Sequence, residues 1–487
     1  MTSIVSTTPP DGGESTDRAG HIESHGIDVI PDSERHGRPW ELFPLWFSGN
    51  IIFTYLLFGG ILIGLGLPLA TALILALVCN LAWIFVGLLA TVGPKTGTAT
   101  MVVSRAQYGL HGNKLSCLFN WMVQVGYEGV NFAIAALAAY ALAADLGWHA
   151  GIAVKTAILL AIASVSFLLG LYGHATIIAV QKALSWALGI STVLFLVFLL
   201  PHVRWSYQPS AHLHGQALTA AVLVGITVVL SGPLSYPISA DYSRYLPRGS
   251  SGRAVTLYTA LGGYLPTIVL TVIGILAATI VNPADFTTSI RGVVPGWFYP
   301  VYLLIVMLGL MSNSIYSIYS SGLMLQAMGV PLKRTRTVWI DAVIGTGIAI
   351  YGVLIATNFL TVLQNFLLWS IYWLAPFFGI YMAELLASRG NYDAQALHQR
   401  SGRYWFRNGV RWGGVAALVL GMATSALLSN TPYLKGALST HVLNGGDLSA
   451  IGGFLTGAAA YWLLCIIPAR RRQASQIPAA TMQSEAS

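Results

Sequence analysis

Residues 43–60 read FPLWFSGNIIFTYLLFGG, and residues 229–248 read VLSGPLSYPISADYSRYLPR. Both are largely apolar, and both are interrupted in the middle. The first carries Ser48, Gly49 and Asn50 together; the second carries Ser231, Gly232, Pro233, Ser235 and Pro237. Proline removes a backbone donor and glycine loosens a helix, so each interruption frees peptide groups that hydrocarbon cannot satisfy. Such breaks persist where a cavity or a ligand completes the hydrogen bonding. The plainer alternative is a pair of packing kinks, with small residues at helix contacts.

The rest of the chain supplies the setting. Its 487 residues are 55% hydrophobic and only 9% charged, where a soluble domain carries roughly 25%. A helix needs about 20 predominantly apolar residues to cross a bilayer core of roughly 30 Å. Twelve such runs are present, centred near Tyr55, Ala82, Gly126, Ser164, Val193, Val224, Ile268, Leu308, Ile348, Trp373, Ala417 and Ala458. This predicts an all-α polytopic membrane protein with twelve transmembrane helices. The interrupted runs are the first and the sixth, the same place in two consecutive groups of five. Paired interruptions of this kind point to an inverted-repeat transporter with its site near the membrane midplane.

The charge placement orients the bundle. With the N-terminus in the cytoplasm, 21 of the 25 lysines and arginines fall on cytoplasmic segments, and only Lys155, Arg204, Arg291 and Lys435 fall outside. That asymmetry follows the positive-inside rule with an even number of spans, so both termini are expected in the cytoplasm. The net charge of +8 therefore needs no nucleic-acid partner. Residues 1–41 are polar, carry no cleavable signal and are expected to be a disordered cytoplasmic tail. Residues 42–468 form the transporter domain, and 469–487 a cytoplasmic C-terminal tail. Cys79, Cys117 and Cys465 have no metal-ligand spacing and read as packing residues.

The third run contains NWMVQVGYEGVNF, residues 120–132. Gln124, Glu128 and Asn131 stand at i, i+4 and i+7, with Tyr127 beside them, so the four are expected to share one helical face. A carboxylate in a membrane span costs about 2.5–3.5 kcal/mol even on the lenient insertion scale. The stripe therefore faces protein, either as a polar helix contact or as a ligand surface. A ring plus carboxamides suits a flat heterocycle, because the ring stacks and a carboxamide presents a donor beside an acceptor. The eighth run adds Ser312, Asn313, Ser314, Ser317, Ser320 and Ser321, which either line a pathway or back-bond to their own helix.

Five segments resemble the cytosine/purine permease family, the nucleobase–cation symporters that include uracil, allantoin, hydantoin and thiamine transporters. They are GIDVIPDSERHGRPWELFPLWFSGN (26–50), GPKTGTATMVVSRAQYGLHGN (93–113), GYEGVNF (126–132), ISADYSRYLP (238–247) and IYSSGLMLQAMG (318–329). The resemblance implies the leucine-transporter-like fold, two inverted five-helix repeats plus two C-terminal helices. The family's stacking aromatic falls on Tyr127, where tryptophan is usual, and its base-reading carboxamide on Asn131. Its first-helix contact falls on Asn50, its sixth-helix region on Gly232–Tyr236 with Gly232 and Ser235, and its eighth-helix contact on Ser317, where asparagine is common. Asp241, Tyr242, Ser243 and Arg244 match a signature read as fold or gate residues.

The function implied is secondary active import of a nucleobase, cytosine or a purine, coupled to a cation by alternating access in the plasma (inner) membrane. No cofactor, metal or obligate protein partner is implied; the partners are a small-molecule nucleobase and the lipid bilayer. Sodium-coupled relatives bind the ion through carbonyls beside the first break and a pair of hydroxyls on helix eight. That pair falls here on Met311 and Ser312, or one register on, on Ser312 and Ser314. A thioether is a poor ligand for a hard cation, and Glu128 offers a titratable group, so the proton is favoured over sodium. An uncoupled facilitator, or a symporter of another flat heterocycle, fits the same residues. A membrane enzyme does not: no nucleophile stands with a base, and His212 and His214 fall in an external loop.

Overall fold

The computed structural model describes residues 25–148, 151–172, 174–209, 212–282, 286–356 and 358–471. Among them the chain is helical, with only isolated bridges such as Arg407 to Val410 outside the helices. Ten helices are long and apolar enough to span a membrane, from Leu69–Thr96, the second span, to Ser449–Arg471, the last. An eleventh is the broken pair Pro39–Gly49 and Phe53–Gly64, bent by 60°, which is the first span. The remaining expected run forms the shorter apolar helix Trp412–Leu428, in eleventh place. The third span is Asn113–Asp145, the fourth Ile152–Leu171, the fifth Thr176–His202 and the sixth Gly215–Ser243. The seventh is Gly252–Ala277, the eighth Phe298–Met328, the ninth Arg336–Ile355 and the tenth Phe359–Ser388.

Burial sorts these helices. The apolar windows of spans three and ten are 83% buried, whereas those of spans four, five and nine are only 28%, 22% and 28% buried. The first two form the core and the last three turn apolar side chains outward, as a bilayer requires.

Each predicted interruption is a real break in the helix. Span one stops at Gly49, Ile52 is extended, and a new helix starts at Phe53. In span six, Pro233 lies in the last turn of Gly215–Leu234; the chain then leaves the helix until Ser239–Ser243. The two broken spans touch where Gly232 has no side chain: a Cβ there would lie 2.9 Å from the Tyr55 ring. Span seven seats the second half of span one through two glycines. A Cβ on Gly59 would come 2.3 Å from the Thr271 carbonyl oxygen, and one on Gly274 2.1 Å from that of Leu56. Small residues at such crossings let helix backbones meet.

The expectation of a disordered tail over residues 1–41 is corrected for its last part; residues 1–24, like 472–487 of the C-terminal tail, lie outside the described residues. Residues 25–41 lie folded across the ends of spans two, six and eight. Ile30 is fully buried and its N–H donates to Gly97 O at 2.8 Å, while Arg35 Nη1 donates to Pro94 O at 2.8 Å. Arg244 Nη1 donates to Gly26 O at 2.6 Å, and Arg248 pairs with Asp32 at 2.7 Å. The polar composition that suggested disorder is used here to bond freed carbonyls at the helix ends.

Candidate substrate site

The freed backbone groups of the two breaks are met by side chains from spans three and eight. Gln124 Nε2 donates to Ser235 O at 3.0 Å, and the Tyr127 hydroxyl lies 3.5 Å from Ser231 O, both on broken span six. On broken span one, Gly49 O accepts from Asn313 Nδ2 at 2.6 Å. The Asn313 amide also donates to the Tyr236 hydroxyl at 3.0 Å, and its oxygen accepts from Asn131 Nδ2 at 2.8 Å. Gln124, Tyr127 and Asn131 thus face the breaks together, as one edge of a single helix. The Tyr127 ring meets Phe366 of span ten edge-on, with centroids 5.0 Å apart.

One atom of this cluster is left over. Asn131 Oδ1 is buried with no hydrogen-bond partner among the described residues. A buried acceptor without a donor costs about 1–3 kcal/mol. It stands one turn beyond Tyr127 on the same helix.

The other expected contacts are placed differently. Asn50 is tied into span one: its amide donates to Trp46 O at 2.7 Å and its oxygen accepts from Tyr55 at 3.0 Å. Gly232 serves the contact with Tyr55, and the Ser235 hydroxyl turns back to Gly232 O at 2.6 Å. Ser317 is buried one turn beyond Asn313. The span-eight residue that meets both Asn131 and the first break is Asn313, four residues before Ser317.

Glu128 does not share the face of the other three, which corrects the four-residue stripe. It turns to span nine, where a Cβ built on Gly345 would sit 3.4 Å from Glu128 Oε2. At about 100° per residue, Glu128 stands about 100° from Tyr127 but only about 40° from Gln124, so it is the close packing of span nine that takes its carboxyl, and not the spacing.

A second polar cluster occupies the junction of spans one, five and eight. Gln181 Oε1 accepts from Ser48 Oγ at 2.8 Å and from Ser312 Oγ at 2.6 Å, and its Nε2 donates to Ser312 O at 3.1 Å. These are oxygens of the kind a hard cation would use, beside the first break and on span eight. Here a carboxamide engages them. Gln181 was missed in the sequence; the available signal was a polar residue in an otherwise apolar fifth run. Cys79, Cys117 and Cys465 are buried free thiols, and His212 and His214 are exposed.

Two broken spans bound by a polar core helix are the architecture of a multi-pass membrane transporter. The overall fold superposes on Mhp1, a nucleobase-cation-symport-1 family transporter solved closed with bromovinylhydantoin bound, with a TM-score of 0.73 at 18% identity over 93% of this chain and 96% of that one. The leucine-transporter-like fold is thus the fold found. The chain belongs to the family described as permeases for cytosine/purines, uracil, thiamine and allantoin, which matches residues 29–451. It is 28% identical to YxlA of Bacillus subtilis over 461 residues, 91% of this chain and 96% of that one. It is 25% identical to the purine-cytosine permease fcyB of Emericella nidulans over 480 residues, 92% and 89% of the two chains.

Proposed function

We propose that this protein imports a nucleobase, cytosine or a purine, by alternating access, and that the driving ion is the proton. The reading rests first on Asn131 Oδ1, a buried acceptor with no donor among the described residues, one helical turn beyond Tyr127 on span three. A nucleobase supplies both a π-face for the ring and an N–H for the oxygen. The permease fcyB, similar along nearly its whole length, is named for purines and cytosine. The family's other substrates are flat heterocycles too, or carry one.

The proton is favoured by the span-eight register: the position of the first hydroxyl falls on Met311, whose thioether is a poor ligand for a hard cation, and Glu128 supplies a titratable group. The excess of basic residues on alternate loops supports a topology with both termini in the cytoplasm, and the plasma (inner) membrane is taken as the site of import.

Purified protein in liposomes tests this directly. Counterflow of radiolabelled cytosine is expected, competed by adenine or hypoxanthine more strongly than by allantoin. An inward proton gradient without sodium should drive accumulation above equilibrium, and an inward sodium gradient at equal pH should not. Absence of exchange with every base tried would overturn the substrate class. Accumulation driven by sodium alone would overturn the proton.

A further inference from the structure

Glu128 is fully buried in the membrane-spanning region, and neither of its carboxyl oxygens has a hydrogen-bond partner among the described residues. A buried carboxylate left alone is among the most costly arrangements a protein can hold. Nothing basic relieves it. No lysine, arginine or histidine occurs between residues 115 and 145 of span three, 298 and 328 of span eight, or 337 and 355 of span nine.

What Glu128 does meet is a second acid. Asp341 on span nine lies one turn before Gly345, the residue against which Glu128 packs, and it is the charged group whose field reaches Glu128. Asp341 is fully buried but well partnered: Oδ1 accepts from Trp121 Nε1 at 2.7 Å and Oδ2 from Ser321 Oγ at 2.7 Å. Ser321 stands beside both acids, with its single hydrogen already shared between Asp341 and the Ile318 carbonyl. Of the two span-eight tyrosines nearest Ser321 in sequence, Tyr316 stacks on Trp46 and Tyr319 accepts from Arg244. The spans are held close here, since a Cβ on Gly129 would meet Ile348 at 2.5 Å and Gly345 O at 3.0 Å.

We propose that Glu128 and Asp341 form a proton-binding site between spans three and nine, separate from the substrate pocket, with Glu128 carrying the transported proton. The inference rests on the proton reading given above. Asp341, with two donors, is the better placed of the two acids to keep a negative charge. Glu128, with none, takes H⁺ and becomes a neutral acid, and the pair passes from two negative charges to one. Span three joins the sites, because Tyr127 and Asn131 flank Glu128 in sequence and face the breaks. Asp341 lies five residues beyond Arg336 at the basic end of span nine, about 8 Å along the helix. On the topology proposed here it stands on the cytoplasmic side of Glu128, on the way out for the proton.

The test compares exchange with accumulation in proteoliposomes carrying an internal pH dye, with radiolabelled cytosine as probe, or adenine where adenine exchanges faster. Wild type should accumulate substrate on a proton gradient and acidify the lumen as it does so. Glu128→Gln keeps shape and volume. Its pH-driven accumulation should fall at least tenfold and its substrate-evoked acidification should vanish, while exchange stays within about twofold of wild type. Asp341→Asn should show the same split. Wild type driven by sodium alone would sink the proton reading itself. Wild type driven by protons, with Glu128→Gln or Asp341→Asn equally driven, would overturn this site and leave that reading intact. Loss of exchange by Glu128→Gln with an unchanged melting temperature would return Glu128 to the substrate pocket and overturn the proposal.

Discussion

The two edges of span three are built to opposite rules. Toward spans one, six and eight, Gln124 and Asn131 donate to Ser235 O and Asn313, and Tyr127 closes on Ser231. Every amide donor there supports a broken helix or its partner, and one acceptor, Asn131 Oδ1, is left over. Toward span nine, Glu128 has no hydrogen bond that meets normal geometry among the described residues, next to an acid that accepts two. The first edge is suited to reading a neutral, flat ligand by direct contact. The second is suited to changing charge. One rigid helix can then carry both tasks without the two chemistries mixing.

Substitutions on each edge should separate these tasks. The largest effect is expected from Asn131→Ala, which removes the orphan acceptor and unties Asn313 from span three. Leaving a base's polar edge unpaired in a desolvated site costs about 1–3 kcal/mol, or roughly five- to over a hundredfold in affinity. Competition binding on protein of normal abundance measures it, and wild-type affinity would remove Asn131 from the site. Next comes Tyr127→Ala. Base–aromatic stacking is worth about 1–3 kcal/mol, so a loss of roughly tenfold is expected, with Tyr127→Trp close to wild type. If the tryptophan variant were as weak as the alanine one, Tyr127 would be acting through its hydroxyl near Ser231 and not through its ring.

Two glycines sharpen the contrast at smaller cost. A Cβ on Gly126 would come 2.3 Å from the Phe366 ring that backs Tyr127, and one on Gly129 2.5 Å from Ile348 on span nine. Overpacking of this size costs about 1–3 kcal/mol. Gly126→Ala should shift affinity and leave the ratio of accumulation to exchange unchanged. Gly129→Ala should lower that ratio and the melting temperature, with affinity nearly constant. Equal effects of both on the ratio would mean that the edges are not separable.

The residues themselves carried much of this. Ser48–Gly49–Asn50 and Ser231–Pro237 announced the breaks, because no sequence can hide a missing donor or a flexible backbone inside twenty apolar residues. The i, i+4, i+7 spacing placed Gln124, Glu128 and Asn131 on one face, because helix periodicity is local; Gln124 and Asn131 stay there and Glu128 turns to span nine. What lies across a helix from its neighbours is not local. Asn50 was read toward the ligand, yet a carboxamide four residues from a freed carbonyl closes on its own helix first. Ser317 and Asn313 are one turn apart, and only the rotation of span eight against span three chose Asn313. Gln181 and Asp341 come from runs that read as apolar, and they acquire meaning from Ser312 and Glu128, 131 and 213 residues away. The polar segment 25–41 reads as a loose tail until the ends of spans two and six offer its donors a set of carbonyls. Composition and period determined that this chain crosses a membrane with two broken helices around a polar third. The packing angles of spans three, eight and nine decided which polar atoms meet, since those angles are summed over contacts that no short stretch of sequence contains.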